Sequence, residues 1–403
     1  STFSNGKALN GTAINDVITQ TVNACMSMSE THTGALIIFE RSVSLTHIIS
    51  NGTIINSDVS AELLKNIFFK NAPLHDGAVI IRNMKIAAAG CVLPLTDRTN
   101  LNKELGTRHK AGIGMSEKSD AVVVIVSEET GAVSVAIDGM LKRHLTPERL
   151  NAVLHAELIR AEDENNSGFI NHASRMITAP SCSGALLKNM FFKSSAETSE
   201  GLIALLILFQ PELRRALEHI GRGNLFDKSV LNGFSQEDST IVSELQLAIT
   251  DLAKRRVGAL IVIEQKTALG DIAATGTRID GVISAPLVEN IFEPNTPLHD
   301  GAMIIRDRQI IAAACILPLA ENMSVARELG TRHRAALGIS TVSDSITIVV
   351  SEETGVISYA RDGKLVRYVD NRALKDLLET IFVRGGASPL ALLKRRVKNE
   401  EKH

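Results

Sequence analysis

The sequence repeats itself at a fixed distance, and this constrains the fold more than any other feature. Ala72-Pro73-Leu74-His75-Asp76-Gly77-Ala78 returns as Thr296-Pro297-Leu298-His299-Asp300-Gly301-Ala302. Glu104-Leu-Gly-Thr-Arg-His-Lys110 returns as Glu328-Leu-Gly-Thr-Arg-His-Arg334, and Ser127-Glu-Glu-Thr-Gly131 as Ser351-Glu-Glu-Thr-Gly355. Each landmark lies 224 residues from its partner (75 to 299, 109 to 333, 128 to 352), and Gly34 with Gly258 keeps the same offset. No net insertion separates the landmarks, so two copies of one fold are predicted. The length of 403 residues agrees, being too long for one ordinary core and suited to two.

Within each copy the apolar spacing alternates between helical and strand periods, which predicts an α/β chain of two tandem copies of a mixed-sheet domain flanked by helices. Helical spacing over 14–28 and 237–255 precedes short apolar runs, Ala35–Phe39 and Ala259–Ile263. A second helix is predicted at Val59–Phe69 and Leu287–Phe292, then strands at Ala78–Arg82 and Ile86–Leu93. Thr107 and Thr331 are read as helix N-caps, placing an Arg-His pair in the first turn. The Ser-Glu-Glu-Thr-Gly segments join two apolar runs as a hairpin, with glycine at a positive-φ position. A closing helix is predicted at about 147–161 and 371–383.

Between the copies the composition changes. The boundaries predicted are copy 1 at 1–163, a Ser/Asn/Thr-rich linker at 164–206, copy 2 with a leading connector helix at 207–386, and a basic tail at 387–403. Pro211 would start that connector helix, with Leu213 and Leu217 on one face.

Composition narrows the ligand. With 43 Lys+Arg against 45 Asp+Glu the formal charge is −2, which gives no general pull toward nucleic acid or an anionic membrane. Twelve Phe, two Tyr and no Trp leave little for stacking on single strands. A small ligand held by a local site is expected, and no nucleic-acid partner. Cys25, Cys91, Cys182 and Cys315 are far apart, so neither a disulfide framework nor a zinc site is indicated; Cys91 and Cys315 read as core residues. The longest apolar runs, Leu202–Phe209 and Ile310–Leu317, are too short to span a bilayer. The expected location is cytoplasmic.

Each copy presents an acid beside a glycine (Asp76-Gly77, Asp300-Gly301), cations at a helix start, and paired carboxylates at a hairpin. Together they suit metal-dependent phosphoryl or nucleotidyl transfer. An Asp can take a proton from an attacking hydroxyl or hold a cation, and the glycine permits close backbone approach; Asp-Gly is also a common turn dipeptide. Cations at a helix N-terminus oppose its dipole unless an anion is bound there, which argues for a phosphate; the other reading is a basic turn paired with Glu104 or Glu328. Glu128, Glu129, Glu352 and Glu353, with His75 and His299, could hold Mg²⁺ or Mn²⁺, although carboxylates at a hairpin tip are commonly just solvated.

On these residues the chain resembles the diadenylate cyclase (DAC) domain family, once in each copy: Asp-Gly-Ala paired with Arg-His-Arg, here Asp300-Gly301-Ala302 with Arg332-His333-Arg334. The resemblance covers about 14–161 and 207–386. It implies condensation of two ATP into cyclic di-AMP with release of pyrophosphate, a divalent metal (Mn or Mg), and self-association, because each domain binds one ATP and two must face each other. By the same resemblance Asp300 and Asp76 are the catalytic acids. Gly301, Ala302, Leu317, Thr331, Arg332, His333, Arg334 and Ser351, with Gly77, Ala78, Leu93, Thr107, Arg108, His109, Lys110 and Ser127, bind substrate. His299, Glu352, Glu353, His75, Glu128 and Glu129 lie where metal and phosphates are held.

Two departures stand out. Lys110 replaces the second Arg of the motif in copy 1, keeping charge but losing the two-pronged donor. Val92 and Ile316 stand where some relatives place a Tyr against adenine. The stretch Ile207–Arg215 is similar to the connector of membrane-anchored cyclases, which implies membrane contact only through an anchor missing here. Tethering favours pairing of the two copies within one chain. Besides a cyclase, the sequence admits a cyclase-like nucleotide-binding or dimerisation protein with an inactive copy 1, and a phosphohydrolase.

Overall fold

The computed structural model describes residues 2–98, 105–158, 228–320 and 330–383. The linker, connector helix, basic tail and Cys182 lie outside them. Contacts divide the chain into two units, Ser1–Glu162 with Thr240–His403, and Asp163–Ser239. Both copies thus belong to the first unit.

Copy 1 runs α1 (Thr2–Glu30), β1 (Ala35–Phe39), α2 (Thr46–Ile49), β2 (Thr53–Asp58), α3 (Ala61–Ile67), β3 (Ala78–Arg82), β4 (Lys85–Cys91), α4 (Thr107–Lys118), β5 (Val122–Val126), β6 (Val133–Ile137), β7 (Met140–Lys142) and a helix α5 over 147–158. Copy 2 repeats this as α6 (Lys228–Arg255), β8 (Ala259–Ile263), α7 (Gly270–Ala273), β9 (Thr277–Val282), α8 (Ala285–Ile291), β10 (Ala302–Arg306), β11 (Gln309–Cys315), α9 (Thr331–Val342), β12 (Ile346–Val350), β13 (Ile357–Arg361), β14 (Lys364–Val366) and α10 (Asn371–Phe382). Among the described residues no helix is long and apolar enough to cross a membrane.

Each copy is one seven-stranded mixed sheet, in order β2-β4-β3-β1-β5-β6-β7 and, equivalently, β9-β11-β10-β8-β12-β13-β14. The central strand β1 is buried along its whole length, as an Ala-Leu-Ile-Ile-Phe run between two helical layers requires. It pairs parallel with β3 (Ile37 opposite Val79) and antiparallel with β5 (Ile37 opposite Val124). The helix starts differ from expectation in one detail. Gly106 and Gly330 are the N-caps, without a side-chain cap, and Thr107 and Thr331 are the first helical residues.

The copies pack against each other through the sheet edges β2 and β9 and the helices α3 and α8. One hydrophobic cluster runs through both, with Ile55, Leu63, Ile67 and Leu74 on one side and Ile279, Leu287, Ile291 and Leu298 on the other. Arg278 reaches Asp58 across the seam at 3.1 Å.

Candidate functional site

The acid lies at the entrance to β3. Asp76 is exposed, while Gly77 at φ 114° and Ala78 turn the chain into the buried strand. Copy 2 repeats this with Gly301 at φ 125°. The glycine's clearance is taken up inside the protein rather than by a ligand. A Cβ on Gly77 would meet the Gly90 and Cys91 backbone at 2.7–2.8 Å, and one on Gly301 would meet Ala314 at 2.6 Å. Ala78 and Ala302 are fully buried, so their side chains pack in the core and only their backbone remains for a ligand.

His75 is oriented by its own loop. Its Nδ1 lies 2.6 Å from the Ala72 carbonyl, and His299 Nδ1 lies 2.6 Å from that of Thr296. A carbonyl can only accept, so Nδ1 carries a proton and donates to it, leaving Nε2 outside this hydrogen bond.

Beside the acid, α4 brings Arg108 to Glu128 on the β5–β6 turn, with Nη1 donating to Oε2 at 2.8 Å. Arg332 and Glu352 form the same pair in copy 2. Room for the guanidinium comes from a glycine before the central strand. A Cβ at Gly34 would lie 2.6 Å from Arg108 Nη1, and one at Gly258 2.5 Å from Arg332 Nη1. Gly34 and Gly258 thus belong to the site, although in the sequence they are legible only as repeat landmarks. In copy 1 Lys70 adds a second cation, 3.8 Å from Glu128 Oε1. The Arg108 hydrogen bond and charge hold the Glu128 carboxyl below the usual carboxylate range, with Lys70 and His75 acting the same way.

The other motif residues divide. His109 and His333 are buried on the inner face of their helices, where burial pushes both below the ordinary imidazole value; nearby Arg143 and Arg367 add to this. Their Nε2 atoms are buried without a hydrogen-bond partner, as is Nε of Arg334. Lys110, Thr107 and Thr331 are exposed. Ser127 and Ser351 accept from the Thr130 and Thr354 amides and so shape the hairpin. Leu317 is buried and Leu93 half-buried, with Val92 and Ile316 exposed beside them. Cys91 and Cys315 are buried, their thiols pushed up to about 11, as core residues should be.

Among the described residues no three His, Cys, Asp or Glu side chains gather as a metal-holding group. Glu128 is engaged by Arg108, and the expected set of His75, Glu128 and Glu129 is not brought together as a closed cage. His75 and the exposed Asp76, neighbours in the chain, are of the donor chemistry that a divalent cation takes. The uncapped start of α4, with cations and no acid in its first turn, fits nucleotide phosphates.

The model of the family described as DAC, DisA bacterial checkpoint controller nucleotide-binding, matches residues 22–141 and 246–365, more than half of the chain. The cyclic di-AMP synthase CdaA of Bacillus subtilis is 52% identical over 182 residues, covering 45% of this chain and 66% of that protein. The diadenylate cyclase of Listeria monocytogenes is 49% identical over 178 residues, covering 44% and 65%. The matched stretches thus span just under two thirds of the length of these relatives. A solved double mutant of DacA from Staphylococcus aureus is 48% identical, covering 36% of this chain and 98% of that one at a TM-score of 0.36. With a family match over each copy, at the same register as the repeat, the chain belongs to the DAC nucleotide-binding family, and it carries that domain twice.

Proposed function

We propose that the protein is a diadenylate cyclase that condenses two ATP into cyclic di-AMP and two pyrophosphates. The observation that carries the reading is the duplicated arrangement of an exposed acid (Asp76, Asp300) at a strand head beside an Arg–Glu pair at an uncapped helix start. Relatives about half identical over their matched stretches are named cyclic di-AMP synthase and diadenylate cyclase, which supports it.

In each of two steps a ribose 3′-oxygen bonds to the α-phosphorus of the other ATP. The bond from that phosphorus to the bridging oxygen breaks, and pyrophosphate leaves. The hydroxyl proton passes to the Asp300 or Asp76 carboxylate and from there to solvent. Arg332 and Arg108, held by Glu352 and Glu128, face the phosphates as charge-assisted donors. His75 or His299 and the adjacent acid would hold a divalent cation, whose contribution when bound is to offset charge developing on the leaving group. His109 and His333 lie buried in the first turn of the same helices, their Nε2 atoms without a hydrogen-bond partner.

Ring closure needs two nucleotide-bearing halves face to face. In this reading the second half comes from another chain, since within one chain the copies meet at the sheet edges β2 and β9. A cyclase-like protein whose copy 1 binds nucleotide without turnover is the second reading, favoured by Lys110 and by the shared hold on Glu128. Incubation with ATP and Mn²⁺ over a range of chain concentrations tests the proposal. Cyclic di-AMP, with activity per chain falling on dilution, is expected; no turnover, or ADP and AMP alone, would reject it.

A further inference from the structure

The seam between the copies contains a pair of buried asparagines where a core would ordinarily be apolar. Asn66 on α3 and Asn290 on α8 are both fully buried, 224 residues apart. Asn66 Nδ2 donates to the Asn290 carbonyl at 2.6 Å, and Asn290 Nδ2 to the Asn66 carbonyl at 3.0 Å. Each side-chain oxygen then accepts from a backbone amide of the opposite copy. Leu74 N donates to Asn290 Oδ1 at 3.3 Å, and Leu298 N to Asn66 Oδ1 at 3.1 Å. Carbonyls only accept and amides only donate, so the partners themselves fix which end of each Asn is oxygen.

A buried amide is costly unless its hydrogen bonds are made, and an apolar side chain would fill the seam at less cost. The position of these bonds indicates what they do. Leu74 and Leu298 stand two residues before Asp76 and Asp300. In copy 1 the approach to the acid is tied locally by Ala72 N to Phe69 O and by His75 N to Ala72 O. The Leu74 amide is tied to Asn290 instead, in the other copy.

We propose that Asn66 and Asn290 are reciprocal positioning residues, each holding from the opposite copy the backbone that leads into the acid. The acid-bearing loop of copy 1 is then set by copy 2, and that of copy 2 by copy 1. Loss of one Asn side chain acts crosswise: without Asn290 the Leu74 amide loses its acceptor, while Leu298 keeps Asn66. The inference rests on Asp76 and Asp300 being the working acids of the proposed cyclase only for its catalytic consequence.

Amide hydrogen exchange of the full chain, without nucleotide, tests it. Asn290→Ser is expected to speed exchange across 73–77 by about tenfold or more and leave 297–301 unchanged, with Asn66→Ser giving the mirror pattern. Faster exchange only in the substituted copy, in both loops alike, or in neither would overturn the proposal. Should a variant not fold, the wild type decides, because the Leu74 and Leu298 amides must exchange as slowly as strand amides and rapid exchange of either overturns it. In turnover, Asn290→Ser should lower kcat with KM for ATP little changed, since the phosphate-binding Arg residues are not displaced. Crosswise exchange without cyclic di-AMP would sink the cyclase reading alone, and cyclisation without crosswise exchange would sink this inference alone.

Discussion

Copies 1 and 2 share a scaffold to the register and differ at its chemically exposed points. In copy 1 the Glu128 carboxylate is shared between Arg108 and Lys70. In copy 2 the position of Lys70 is Pro294, and Glu352 has Arg332 as its cation. Lys110 is exposed, whereas its counterpart Arg334 is half-buried, with Nε buried and without a hydrogen-bond partner. Copy 2 thus has the more demanding cation arrangement and copy 1 the more self-neutralised one. Duplication has preserved the acid and the Arg–Glu pair in both while letting the rim diverge, and the weaker half is predicted to be copy 1.

The largest expected effect breaks the comparison outright. Asn cannot take a proton, so Asp300→Asn should remove the copy 2 contribution by about 10²-fold or more with ATP binding retained. Asp76→Asn should remove the smaller share, and initial rates of cyclic di-AMP formation measure both. Equal losses would show that the halves are equivalent. Next in size, Arg332→Ala should weaken ATP binding by about 1.5–3 kcal/mol, the worth of a hydrogen bond to a charged group. Arg108→Ala should cost less because Lys70 remains nearby, and calorimetry on each variant gives the ranking. Lys110→Arg should raise the copy 1 contribution a few-fold in an Asp300→Asn background by restoring the planar donor.

Smaller effects concern the backbone and pH. Ala314 has φ 56° where copy 1 has Gly90 at φ 66°, so copy 2 carries strain beside Gly301 that copy 1 avoids. Ala314→Gly should stabilise by about 1 kcal/mol, seen as a melting shift of a few degrees, and Gly90→Ala should do the reverse. Burial lowers the pKa of His109 and His333 in the folded protein. The unfolded chain then binds more protons below its ordinary imidazole value of about 6.5, so stability is full above that pH and falls as pH drops through it. Depression of Glu128 acts in the same direction at lower pH, where protonation removes its pairing with Arg108. Melting temperatures between pH 7.5 and 5.5 should therefore fall, and a His109→Gln/His333→Gln variant should flatten the slope.

Much of this architecture was legible in the sequence because apolar alternation is strong where strands are fully buried. Ala35–Phe39, Ala259–Ile263 and the hairpins have the bounds their patterns imply within a residue or two. The strands β2 and β9 were not, for their segments Thr-Ile-Ile-Asn-Ser-Asp and Thr-Arg-Ile-Asp-Gly-Val are half polar and broken by positive-φ residues, Asn56 and Asp280. Their role is set by contact with each other, which no local pattern encodes. The same reason hides Asn66 and Asn290, which read as ordinary polar positions on short helices. Asp76, Arg108 and Glu128 were legible as site candidates from the repeat, while the part played by Gly34 emerges only when Arg108 is seen lying where its Cβ would be.

Cyclase activity is tested most directly in a single reaction in which cyclic di-AMP and pyrophosphate are quantified together from ATP. Two pyrophosphates are expected for each cyclic di-AMP from the wild-type chain, and neither product from an Asp76→Asn/Asp300→Asn chain that still binds ATP. Release of ADP and phosphate in their place, or unchanged cyclic di-AMP formation by the double variant, would contradict it.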